Sequence, residues 1–222
     1  MPRQATITRN TKETQITLAL NLDGSGKSKV ETGMGFFDHM LTLFAAHAMI
    51  DLELKLSGDL EVDGHHSVED AGIALGQAFT QALGDKKGIR RYGFFVLPMD
   101  EVLCETAVDF SGRPTLVFDA SFPTERVGSF DLELVHEFWQ GFANAAAATL
   151  HIRVPYGTNG HHLAEAIYKS AARAIRAAIE SDPRQKGIPS TKGILRSGEK
   201  VHLSAPCSGR APHSPARSRA SA

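Results

Sequence analysis

Apolar side chains recur every three or four positions in four stretches: Phe36 to Ala48, Val68 to Leu83, Leu132 to Leu150 and Leu163 to Ile179. Leu163, Ile167, Ala171, Ile175 and Ile179 mark one face of the last stretch, and Ile73, Leu75, Phe79 and Leu83 are the apolar positions of the second. This is the period of an amphipathic helix. Alternation of apolar and polar residues runs instead over Gln15–Leu22, Leu52–Leu56, Val102–Phe110 and His151–Val154, which predicts half-buried strands. The first and third strands run into glycine turns at Gly24 and Gly112. Strand, helix, strand, helix therefore occurs twice in the same order. The pattern predicts an α+β fold made by internal duplication, with one half-unit over residues 1–90 and the other over 91–195. Each would be a small β-sheet with two helices packed on one face. A unit of about 90 residues buries only a modest core, so the halves are expected to pack together.

One motif carries the duplication most clearly. Asp63-Gly64-His65-His66-Ser67-Val68-Glu69 and Asn159-Gly160-His161-His162-Leu163-Ala164-Glu165 both read [DN]-G-H-H-x-x-E at the entrance to a predicted helix. Asp63 and Asn159 fit as N-caps, because a short side-chain oxygen can accept the free amides of the first turn. His39 precedes the first pair by 26 residues and His136 the second by 25. Acids precede the first predicted strand of each copy: Glu13 in one, Asp100 and Glu101 in the other.

Residues four apart share a helix face, while neighbours point about 100° apart. His65 with Glu69 can therefore ligate one ion, as can His161 with Glu165, and His66 and His162 must face elsewhere. A lone HHxxE would be a packed histidine as readily as a ligand. Two copies with matched upstream histidines argue for a paired metal site built from His39, His65, His66, Glu69, His136, His161, His162 and Glu165. Eight ligands over two octahedral ions leave open positions on each, as a catalytic site needs. His47 corresponds to Asn144 and is left out of the set.

Composition narrows the function. The chain has 222 residues, 42% of them hydrophobic, with 24 Lys and Arg against 25 Asp and Glu. A net charge of −1 argues against a general nucleic-acid binder. No apolar run is long enough to span a bilayer, and the N-terminus has no apolar signal core, so a cytoplasmic protein is expected. Two cysteines make neither a disulfide framework nor a four-thiolate zinc site. Residues 196–222 are rich in Ser, Pro, Ala and Gly without a hydrophobic period, and are read as a disordered tail. Without them 19 basic and 24 acidic side chains remain, so the body is near −5. Within it Arg91 stands at the junction of the halves and Arg113 follows the Gly112 turn. Lys169 lies four residues after Glu165, and Ser190-Thr191-Lys192-Gly193 follows a Pro- and Gly-rich stretch. Singly each basic residue reads as a solvated charge; together they could hold a phosphate.

Arg9-Asn10-Thr11-Lys12-Glu13-Thr14, Gly35-Phe36-Phe37-Asp38-His39-Met40, Gly64 to Asp70, Pro98-Met99-Asp100-Glu101, Asn159 to Glu165 and Ser190-Thr191-Lys192-Gly193 together resemble the imidazoleglycerol-phosphate dehydratase family in its monofunctional form. The resemblance covers about residues 4–195. It implies a ribosomal-protein-like α+β fold in each half, two Mn²⁺ ions per site, and a homo-oligomer of twenty-four subunits built from trimers with sites between subunits. It implies a lyase of histidine biosynthesis that dehydrates D-erythro-imidazole glycerol phosphate to imidazole acetol phosphate. The expected route runs through a dimetal-bound imidazolate and a diazafulvene-like intermediate. Glu13 is then the main acid–base candidate and Asp100 a weaker one, while Lys169 contacts substrate or intermediate. Arg91, Arg113, Ser190 and Lys192 match the phosphate-binding positions. Two other readings use the same residues: a dinuclear metallohydrolase of a small phosphate ester, and a non-enzymatic metal-binding shell protein.

Overall fold

The computed structural model describes residues 2–195; the segment read as a tail, 196–222, lies outside the described residues. The first half runs β1 (Gln4–Asn10), β2 (Thr14–Asn21), β3 (Ser28–Glu31), α1 (Gly35–Ala48), β4 (Asp51–Gly58) and α2 (His65–Leu83). The second runs β5 (Tyr92–Met99), β6 (Val102–Asp109), β7 (Thr115–Asp119), the short ribbon β8 (Arg126–Val127) and β9 (Phe130–Asp131), α3 (Leu134–Ala145), β10 (Thr149–Tyr156) and α4 (Gly160–Ile179). The strand orders are β1-β2-β4-β3 and β5-β6-β10-β7, and in both sheets the last pair is parallel and the others antiparallel. The expected duplicated α+β architecture is what the chain adopts.

Alternation decides which face of each sheet is buried. Ile16, Leu18 and Leu20 of β2 lie opposite Leu56, Leu54 and Leu52 of β4, all turned inward. α2 packs on β1 and β2, and α4 on β5 and β6. The first helix of each half touches its own sheet at the edge strand, α1 at β3 and α3 at β7, and otherwise packs across the halves: α1 lies along α4, and α3 along α2. The helices of the two halves thus interleave in one layer between the sheets, around the buried rings of Phe37, Phe44, Phe79, Trp139, Phe142 and Tyr168. The α2–α3 crossing needs glycine. A Cβ at Gly72 would lie 2.3 Å from the Phe138 carbonyl oxygen, and one at Gly76 would lie 2.6 Å from that of Phe142.

The helix expected over Leu132 to Leu150 ends at Ala145. Its alanines favour helix, but Ala147 turns to φ 48 and the chain enters β10 at Thr149, where pairing with β6 and β7 takes over. The outer faces of the sheets differ. That of the first carries Thr17, Lys29, Glu31, Glu53 and Lys55, whereas that of the second exposes Phe94, Val96 and Val117, Phe94 to 76%.

Candidate active site

Histidines reach the helix layer because their helices begin where the chain leaves the sheets. Asn159 caps α4 by accepting from the amides of His161 and His162, at 2.9 and 3.3 Å. Asp63 does less than expected. Its carboxylate accepts only the His65 amide, at 2.8 Å, and Gly64 takes the cap position of α2.

α1 brings His39 of the first half to α4 of the second. His39 Nε2 lies 2.9 Å from Glu165 Oε1, and His161 Nε2 lies 3.1 Å from the same oxygen. The ligand atoms of these three residues all fall within 4.8 Å of one another, the one such group among the described residues. Lys169 Nζ donates to the other oxygen, Glu165 Oε2, at 2.5 Å, and also contacts Met99 Sδ at 3.4 Å. Burial pushes the Glu165 carboxyl up, but the Lys169 ammonium and the two imidazoles outweigh it and hold the pKa at about 2. The carboxylate is therefore ionised and oriented. Two imidazole nitrogens and one carboxylate suit a divalent ion and leave coordination positions open. Phe36 supports His161 edge-on at 5.1 Å, and nothing in the periodicity had singled that ring out.

The other candidate ligands do not join this group within one chain. His65 and Glu69 on α2, and His136 on α3, occupy the neighbouring helix pair. His136 Nδ1 pairs with Glu137 at 2.9 Å, and its ring meets Phe118 of β7. His66 turns to its own sheet, with Nδ1 3.0 Å from Asp59 Oδ2 and 4.0 Å from Glu13. His162 does the same, 2.9 Å from Glu101 and 3.7 Å from Asp100. The bonds to Asp59 and Glu101 raise the pKa values of His66 and His162. In return the His162 bond, with the local amides, holds Glu101 at about 2. The sequence had offered Asp100 here, but Asp100 is largely exposed at the tip of the β5–β6 turn, with φ 49. His47, left out of the ligand set, stays out of the group. Burial, then Lys169 and Arg173, lower its pKa.

The basic residues do converge. Arg91, Arg113, Ser190 and Lys192 line one open cavity of about 920 Å³, together with Tyr92 and Thr191. Arg91 is not a solvated charge. It is buried, and Asp109 grips it through Nε at 2.7 Å and Nη2 at 3.0 Å, while Nη1 donates to the Pro189 carbonyl at 2.9 Å. Asp109 also lies 3.8 Å from Arg113. Asp109 escaped the sequence reading because the end of a strand gives no signal for an arginine clamp.

A duplicated α+β chain with a cross-half His/Glu group and a separate basic cavity has the site of a metal-assisted lyase or hydrolase acting on an anion. Similarity to known proteins decides between them. The family model described as imidazoleglycerol-phosphate dehydratase matches residues 32–175. Curated relatives of that name include one from Albidiferax ferrireducens, 59% identical over 194 residues, covering 87% of this chain and 95% of the relative. One from Cereibacter sphaeroides is 56% identical over 87% of this chain and all of the relative. Solved structures agree. The Staphylococcus aureus imidazoleglycerol-phosphate dehydratase has a TM-score of 0.74 and 40% identity, covering 81% of this chain and 99% of its own. IGPD from Pyrococcus furiosus has 0.74 and 34%, covering 85% and 100%. The chain belongs to the imidazoleglycerol-phosphate dehydratase family, and it is a hydro-lyase.

Proposed function

We propose that this chain dehydrates imidazole glycerol phosphate to imidazole acetol phosphate, a step of histidine biosynthesis, in the cytoplasm, with two Mn²⁺ ions at each site. The observation that carries this reading is the group of His39, His161 and Glu165, assembled from both halves around a buried, ionised carboxylate. His65, Glu69 and His136 supply the related set on α2 and α3, and His66 and His162 complete the ligands. His66 and His162 face away from the three-residue group, so a full site draws on more than one copy of the chain. The apolar outer face of the second sheet supports such a homo-oligomer, of twenty-four subunits built from trimers, since exposed apolar patches mark interaction surfaces.

The proton to be removed lies on a carbon without a neighbouring carbonyl, so the imidazole ring must relay the electrons that expel the hydroxyl. A divalent ion on a ring nitrogen, when bound, acidifies the ring N–H as it acidifies bound water. The chain's own groups do the rest. Arg91, Arg113, Ser190 and Lys192 anchor the phosphate, with the guanidinium planes suited to two-point contact. Lys169, fixed by Glu165, directs its ammonium at the substrate hydroxyls. Glu13 carries the ring N–H proton to the departing hydroxyl, so that water leaves, and then takes the carbon proton; the enol so formed relaxes to the ketone. Asp100, beside Glu101 in the β5–β6 turn, is the lesser candidate.

Turnover of imidazole glycerol phosphate measured with and without added Mn²⁺ tests this reading. The expected result is metal-dependent release of the ketone. Loss of turnover in Glu13→Gln with metal content unchanged supports the acid–base assignment and excludes a passive metal-binding shell. Release of inorganic phosphate in place of the ketone would mark a phosphohydrolase.

A further inference from the structure

The two halves treat the same position in opposite ways. Glu13 and Glu101 each immediately precede the second strand of their sheet, β2 and β6. Glu101 is fully engaged: Oε1 accepts from the amides of Thr158 and Asn159 at 3.3 and 2.9 Å, and Oε2 faces His162. Glu13 keeps its carboxylate clear, 54% exposed, with His66 no nearer than 4.0 Å. Instead its backbone is tied down. Thr11 Oγ1 accepts from the Glu13 and Thr14 amides at 3.1 and 2.9 Å. Thr14 Oγ1 donates to Asp70 Oδ2 at 2.5 Å. That direction leaves the Thr14 oxygen free to accept from the Thr11 hydroxyl, 3.2 Å away. Arg9 Nε and Nη2 both donate to Asp70 Oδ1, at 3.0 and 2.6 Å. Thr14 and Asp70 are buried.

Helix geometry gives this relay its meaning. Asp70 follows Glu69, so on α2 the two side chains point about 100° apart. Glu69 faces with His65, and Asp70 faces the β1–β2 hairpin. The second half has nothing equivalent: Ala166 follows Glu165, Val102 opens β6, and Pro98 and Met99 close β5. A buried carboxylate is costly without partners, and Asp70 has three such contacts, from Arg9 Nε and Nη2 and from Thr14 Oγ1.

We propose that Asp70, with Arg9 and Thr14, is a positioning residue for Glu13, fixing the turn that presents its carboxylate relative to the His65–Glu69 face of α2. The proposal rests on the acid–base reading of Glu13. It predicts that Asp70→Asn and Thr14→Val lower kcat roughly ten- to a hundredfold with little change in KM, since a misplacement near 1 Å costs about that much. Bound Mn²⁺ should remain at the wild-type level, and Thr14→Ser, which keeps the hydroxyl, should recover the turnover that Thr14→Val loses. In a Glu13→Gln background Asp70→Asn should cost almost nothing further, because the group it positions is already gone.

Steady-state kinetics and metal content of these variants decide it, with Thr14→Val against Thr14→Ser carrying the test if Asp70→Asn does not fold. Wild-type kcat in Asp70→Asn and Thr14→Val, beside a crippled Glu13→Gln, overturns the positioning role alone. So does a full multiplicative loss in the double variant, or loss of metal. Wild-type kcat in Glu13→Gln overturns the acid–base reading and the positioning role with it.

Discussion

Gly72→Ala should destabilise this protein, against the usual sign for that change in a helix. Alanine in place of glycine within a helix gains about 1 kcal/mol from propensity and reduced chain entropy. At Gly72 the new methyl would meet the Phe138 carbonyl oxygen at 2.3 Å, where 3.0 Å is the closest approach a real Cβ tolerates. That oxygen is backbone of α3, so the whole helix must recede by roughly 0.7 Å in a close-packed layer. Overpacking of this kind costs about 1–3 kcal/mol, which at the middle of the range leaves a net loss near 1 kcal/mol. For a chain of this size that corresponds to a fall of roughly 2–4 °C in Tm. Gly35→Ala is the control: nothing lies within 4 Å of its Cβ position at the start of α1, so it should be neutral or slightly stabilising. Thermal melts at matched protein and metal concentration measure both, since ligand and subunit binding shift Tm. The separation of α2 from α3 also sets His65 and Glu69 relative to His136, so metal affinity should fall with Tm. A Gly72→Ala protein that melts higher than wild type refutes the argument from the crossing.

On the proposed assembly of trimers joined through metal, chelation or mild acid should leave trimers and abolish turnover, and Mn²⁺ at neutral pH should restore both; a stripped protein that sediments as the untreated one does shows that metal does not hold the subunits together. The pH sign follows from His66 and His162, whose raised pKa values keep them protonated to higher pH than an ordinary histidine near ~6.5. A ligand must be neutral, so Mn²⁺ affinity should climb as pH rises through and above that value, which a metal-binding titration over pH reads directly. His65→Asn should imitate the chelated state at neutral pH, with full metal content in that variant refuting its place among the ligands. Lys192→Ala and Arg113→Ala should each raise KM by a factor of about ten or more, as loss of a charge-assisted contact costs about 1.5–3 kcal/mol; an unchanged KM in both refutes their proposed role in phosphate binding. Cys104, buried and pushed up to about 11, should resist a disulfide reagent at pH 8 in the folded protein and react on unfolding, as a thiol assay in a Cys207→Ser background would record.

Much of this was legible in the sequence where one physical rule dominated. Four helices and the strands β2, β4, β6 and β10 followed from periodicity, because each has a single buried face. β5 escaped because Phe94 and Val96 are apolar on its exposed side, which erases the alternation. β3 is four residues long, too short for a period to register. Helix spacing correctly put His161, Glu165 and Lys169 on one face. It could not say that His39 would join them, because the contact crosses between halves and 126 residues of chain. Asp59, Asp70 and Asp109, which orient His66, the Glu13 turn and Arg91, carry no motif, since a carboxylate's partner is chosen by the tertiary fold.

The interleaving of α1 with α4 and of α2 with α3 also describes an ancestor. One half alone would leave a face of each helix bare, and two identical halves meeting about a two-fold axis would cover those faces in the same way. The present chain is in that sense a homodimer fused into one polypeptide. Fusion released the two copies from identity. One could then gain Lys169 where the other keeps Ile73, and one could hold its glutamate clear where the other ties it to a helix entrance. A symmetric dimer cannot make such a distinction, because every substitution would appear twice.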